Sequence, residues 1–232
     1  MPTAQEVGRA IARGIAPVAR SVSPGAAGGA LRRVLELAID GPGRLPGART
    51  VAAKHLQRHG GSVDDAIDSL VAHHVRLASA QGFVTNLGGL AALPVAIPAN
   101  LTGVAVVQVR MVAAVAHLRG YDVNDLRVRT ALVMCLLGGD EVAKRIGDGS
   151  LPTSPMAVAT APVFDAALDR QVAEAVLADL MSRIGGKNLA LVVTRRVPLL
   201  GGGVGAVVDG MATHQIGAYA KAELLRRRAL SH

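Results

Sequence analysis

Arg110 is the residue in this chain that most invites a chemical reading. No Asp, Glu, Lys or Arg occurs between Arg76 and Arg110. Gly103, Arg110 and His117 recur at intervals of seven, so they share one stripe of a helix otherwise made of Ala, Val and Met. A lone guanidinium in such surroundings is costly to bury, and proteins pair it. The expected partner is Asp209, the acid in the apolar, Gly-rich start of the last helix, with Thr213 one turn further along the same face. Asp122 competes for the same role. The plainer reading is a structural ion pair joining two helices. The sharper one is a polar site for an anion or a headgroup, built from Gln108, Arg110 and His117 with Asp209 and Thr213 opposite.

Other patterns carry less. The Gly201–Gly205 stretch suggests a phosphate cradle, but no strand precedes it and Ala206 stands where the dinucleotide fingerprint ends in Gly. Small residues at Gly202, Ala206, Gly210 and Gly217 read better as a face that lets helix backbones approach. Gly186-Lys187-Asn188 lacks the upstream Gly and the hydroxyl of a P-loop. His55 and His59 stand one turn apart, but no Glu follows His55 and no third ligand is evident, so both read as exposed residues beside Lys54 and Arg58. His73 and His74 cannot point their rings the same way from a helix. Nothing marks Cys135 as a nucleophile, and there is no Gly-x-Ser-x-Gly elbow. No metal and no cofactor is expected, and the pattern favours a non-enzymatic role. The alternative is a hydrolase-like enzyme or a small-ligand-binding module using the Arg110/Asp209 site.

The two ends of the chain are basic and amphipathic. Arg9 and Arg13 interleave with an apolar stripe near the start, and Lys221, Arg226, Arg227 and Arg228 cluster at the close. The formal net charge is +8, which points to an anionic partner. Two Phe, two Tyr and no Trp leave little for bases to stack on, so nucleic acid is not the expected partner. An anionic membrane surface fits better, each basic residue near it adding about 1 kcal/mol. A single cysteine excludes an internal disulfide and suits a reducing compartment. No secretory leader pattern appears at the N-terminus. The expected location is the cytoplasm, peripheral to the inner face of the membrane.

The elements that must position these residues are helices. Half of the residues are hydrophobic, mostly Ala, Val and Leu, so the fold class expected is all-α: a single multi-helix domain with closely packed Gly/Ala-rich central helices. Helices are predicted over 4–20, 30–39, 48–58, 62–81, 100–119, 122–137, 166–184, 188–196 and 204–228. The breaks fall at Gly or Pro, including Gly88-Gly89, Pro94, Pro98, Gly185-Gly186 and Gly201–Gly203. Residues 138–160 read as loop-rich. Residues 1–26 form an N-terminal amphipathic helix and linker ahead of a helical domain over 27–232. The charge-free stretch 77–109 is too interrupted for a spanning helix, which needs about 20 continuous apolar residues. It reads as a buried helix pair or as a hairpin dipping into one leaflet.

Two blocks resemble the EcsC family of bacterial proteins. The first runs from Gln81 to Asn100 through Gln108-Val109-Arg110-Met111 to His117-Leu118-Arg119-Gly120-Tyr121-Asp122 and Arg127-Val128-Arg129. The second runs from Arg196 to Asp209 and on to Thr213, Ile216, Gly217 and Ala220. The family takes its name from an operon that also encodes an ABC exporter. The resemblance therefore implies a bacterial protein connected with membrane processes, with a membrane transporter as a candidate partner. It carries no catalytic residues across. Asn100 stands where the family often has Asp, so a role needing an acid there is not filled.

Overall fold

The computed structural model describes residues 27–41, 46–87, 93–193 and 198–225. Among them the chain is all-helical, with no strand. The helices are α1 (Ala27–Asp40), α2 (Ala48–Arg58), α3 (Val63–Leu87), α4 (Leu93–Leu118), α5 (Leu126–Cys135), α6 (Gly139–Gly147), α7 (Pro155–Ala159), α8 (Ala166–Val193) and α9 (Pro198–Glu223).

α4 is the central rod. Every residue from Gly103 to Ala116 is buried, on all sides of the helix. A helix apolar all round must be enclosed, and α1, α2, α3 and α9 pack around this one. α3 runs antiparallel to both of its long neighbours. Gln81 meets Gly103 on α4, while Val71 and Gly82 meet Gly217 and Gly205 on α9. α9 buries one face at Gly205, Asp209, Thr213, Ile216 and Ala220, a run of threes and fours that defines a helical stripe.

Glycine sets the spacing of this trio. A Cβ on Gly82 would lie 2.6 Å from Asp209 Oδ2 and 2.7 Å from the Gly205 carbonyl oxygen. A Cβ on Gly217 would lie 2.7 Å from Val71 Cγ1 and 3.1 Å from Met111 Sδ. The expected packing role therefore holds at Gly210 and Gly217, which face Ser79 and Val71. Gly205 joins them, and the side-chain surroundings of Gly202 lie outside the described residues.

Several helix limits differ from those read in the sequence. α3 continues past Gln81 to Leu87, and α4 begins at Leu93 rather than Asn100. Pro94 sits in the first turn, where its missing N–H has no intrahelical acceptor to lose. Pro98 forfeits a single bond one turn later. α8 carries on through Gly185-Gly186 to Val193, and α9 starts at Pro198 with Gly201–Gly203 inside it. Residues 138–160 are not a plain loop: they contain α6 and α7. Gly138, at φ +83°, turns the chain into α6. Asp140 and Glu141 suit the first turn of α6, and Glu141 holds Arg145 at 2.7 Å one turn on. Leu224 and Leu225 follow α9 outside helix, and the N-terminal helix predicted over 4–20 lies outside the described residues.

Among the described residues no helix is long and apolar enough to cross a membrane. Cys135 ends α5 fully buried, and burial pushes its thiol well above the usual range.

Candidate functional site

The predicted polar residues are placed in three separate groups. Gln108 and Thr213 do meet: the Gln108 amide donates to Thr213 Oγ1 at 3.1 Å, joining α4 to α9 in the core. Asp209 lies one turn away on α9, buried against the backbone of α3 at Gly82. Arg110 faces α3 elsewhere.

The expected Arg110–Asp209 ion pair is not formed. The contact Arg110 makes is with His74, its Nε donating to His74 Nε2 at 3.4 Å. The reason is register. Gln81 opposes Gly103, so the position seven residues further along α4 opposes His74, seven back along the antiparallel α3. Asp209 sits near the Gly82 level instead. Asp122 is also no partner for Arg110: its carboxylate accepts from the Asn124 backbone N–H at 3.0 Å.

The sequence stripe Gly103–Arg110 does face one neighbour, as the interval of seven predicts. His117 leaves the group because it is exposed near the end of α4. Its pKa is lowered by partial burial and by Arg49, with Asp122 pulling the other way. Arg110, His117 and Asp209 thus do not line one pocket.

His74 is a neutral orienting group. Its Nδ1 lies 2.8 Å from the Leu70 carbonyl, one turn back, so Nδ1 carries the proton and Nε2 is left to accept from Arg110. Burial and the charge of Arg110 push His74 well below the usual imidazole range. Arg110 itself is 4 % exposed, and burial lowers its pKa to about 10, so it remains a cation at neutral pH.

Two more imidazoles extend this cluster. The His73 ring centroid is 5.5 Å from that of His74 and 5.8 Å from that of His55 on α2. His55, read from sequence as exposed, is buried, with Nδ1 3.1 Å from Ser69 Oγ on α3. His59 is exposed as expected. Burial and then the neighbouring basic groups, His73 first, bring His55 down to about 4. His73 and His74 were visible in the sequence as a pair. Their link to Arg110 and His55 was not, because it needs the register of α2, α3 and α4. No group of three or more His, Cys, Asp or Glu with metal-holding geometry occurs among the described residues.

The basic residues proposed for a membrane surface divide. Lys221 is held by Asp68 across α9 and α3. Arg9, Arg13, Arg226, Arg227 and Arg228 lie outside the described residues. A separate cleft of about 240 Å³ opens between α5, α7 and the start of α8, lined by Thr130, Val158, Phe164 and Leu168 among others. Arg127 at its edge is already committed to Asp125 and to the Ala161 carbonyl. Comparison of the chain with models of protein families, with curated proteins and with solved structures finds no match.

Proposed function

We propose that this chain is an EcsC-like peripheral membrane protein that rests the Gly-rich end of its α3–α4–α9 trio on a lipid surface. The observation that carries the reading is apolar side chains left in solvent at that end. Val207, Val208 and Met211 on α9 are 59, 41 and 59 % exposed. They flank Gly205 and Asp209, which meet Gly82 near the end of α3, close to where α4 begins. The sequence is free of Asp, Glu, Lys and Arg over 77–109 and again over 197–208, so nothing charged opposes contact with hydrocarbon there. The net charge of +8 adds attraction to an anionic leaflet. The contact proposed is a peripheral one, and among the described residues no helix is long and apolar enough to cross a bilayer.

Flotation on phosphatidylcholine vesicles containing phosphatidylglycerol tests this at low salt. The chain is expected to float. Val207→Glu combined with Met211→Glu is expected to weaken retention by about 10-fold or more, since burying an apolar side chain of this size is worth about 1.5–3 kcal/mol. A chain that stays at the bottom of the gradient would overturn the reading, as would an unaltered double variant.

A further inference from the structure

Arg110 holds an unspent charge. A guanidinium offers five N–H donors in a planar fork. Here the Nε bond to His74 is long, at 3.4 Å, and goes to a neutral ring. No carboxylate lies within ion-pair distance of Arg110 among the described residues. Among the described residues the η nitrogens meet no acceptor, and the residue as a whole is 4 % exposed. A buried cation left this way costs several kcal/mol unless something neutralises it.

The surroundings deepen the imbalance. His73 and His55 continue from His74 toward α2 in a chain of ring contacts. Arg58 on α2 and Arg76 on α3 are exposed. Their charges act on both His55 and His73, together with Arg110 on His73, and no acid acts on either ring. The acids of α3 that have partners point elsewhere: Asp64 goes to Arg119 and Asp68 to Lys221. The α2–α3 side of the molecule is therefore a run of cations and imidazoles ending in a buried guanidinium.

We propose that Arg110 is the base of an oxyanion-binding site, with His73, Arg76 and Arg58 at its approach and His74 as the positioning residue, and that its ligand carries a phosphoryl group. The planar fork matches two oxygens of such a group, and the exposed arginines supply long-range attraction. A free phosphate and a lipid phosphate headgroup share this chemistry. The site does not depend on the membrane reading, because it lies about 10 Å along α4 from Gly103 and on residues that reading does not use.

Inorganic phosphate is the first probe, titrated by calorimetry at constant ionic strength with chloride as the control. Saturable binding is expected in the wild type. Arg76→Ala and Arg58→Ala, which change exposed side chains and leave the core intact, are each expected to weaken it by about 5- to 10-fold, and Arg110→Met to abolish it with the helical circular dichroism unchanged. The second probe is a phosphatidylcholine vesicle with and without phosphatidic acid. Retention that rises with phosphatidic acid and falls in Arg76→Ala identifies a headgroup as the source. Retention indifferent to phosphatidic acid, beside saturable phosphate binding, identifies a soluble ligand. No phosphate binding by the wild type, or binding that survives both Arg110→Met and the Arg58/Arg76 changes, would overturn the site. A failure of the Val207/Met211 flotation test alone leaves these outcomes untouched.

Discussion

The two ends of the α3–α4–α9 trio are built by different means. At one end, α3 begins and α4 and α9 finish. There Asp64 meets Arg119 at 3.0 Å, Lys221 meets Asp68, and the Tyr121 hydroxyl donates to the Leu225 carbonyl at 3.1 Å. At the other end the same helices carry no charged side chain over long runs, and Gly82 presses on the backbone at Gly205. The charged end is fastened by partners that water can replace. The Gly-rich end is held by the absence of side chains, which brings backbones into contact and leaves the outer surface apolar. The Gly-rich end thus carries both the close packing and the exposed apolar side chains, while the ion pairs mainly keep the other end solvated.

Substitutions should expose that difference in descending order. Gly82→Val places atoms where the Gly205 carbonyl oxygen and Asp209 already sit. It is expected to lower unfolding stability by about 3 kcal/mol or more, read from a denaturant midpoint, because two backbones cannot both yield. A midpoint within error of wild type would mean that the helices are not in contact there.

Between the two ends lies Arg110, and its replacement should move stability the other way. Arg110→Met, in phosphate-free buffer, is expected to stabilise by about 1–3 kcal/mol, since it removes a buried charge that no carboxylate offsets. Loss of stability instead would point to a neutralising acid that binds Arg110 in solution.

Acid should weaken the same middle layer before it touches the glycine contacts. His55 falls from 6.5 to about 4 in the fold, and His73 and His74 are also lowered. The folded state thus prefers the neutral rings, while the unfolded chain takes up protons first. The His55 contribution is complete above pH 6.5 and is lost as pH falls toward about 4, and those of His73 and His74 change in the same direction. The melting temperature should decline across that interval, and less steeply in His55→Asn. Equal slopes would show that His55 is not the group titrating.

The smallest effect belongs to the charged end. Asp68→Asn removes an exposed pair with Lys221 and is expected to cost about 0.5 kcal/mol, vanishing in 1 M salt. A loss rivalling that of Gly82→Val would erase the contrast between the ends.

The helical class was legible because apolar residues recur at helical intervals and Gly or Pro separates the runs. The limits at Gly185-Gly186, Pro98 and Gly201–Gly203 were misread for one physical reason. Glycine and proline weaken a helix in isolation by about 1 and 3 kcal/mol, a preference that a folded chain can override. Gly82 and Gly205 illustrate the override, since each is required by its neighbour. Arg110 stood out as a lone cation, and the seven-residue interval to Gly103 correctly set its face. Its partner did not follow, because an acid was assumed where an imidazole supplies the contact. His74 is apolar in its surroundings and uncharged, so nothing in its local sequence distinguishes it from His73. Only the antiparallel offset of α3 against α4 selects it.

Cys135 gives this architecture a built-in clock. The chain's one thiol closes α5 with no exposure and with its proton held tightly, so reagents in solvent cannot alkylate it while the helices stay together. Its modification rate therefore counts openings of the interior. Without any engineered label, mass spectrometry of that one sulfur can time how often the assembly breathes, and whether a bound oxyanion or a lipid surface slows it.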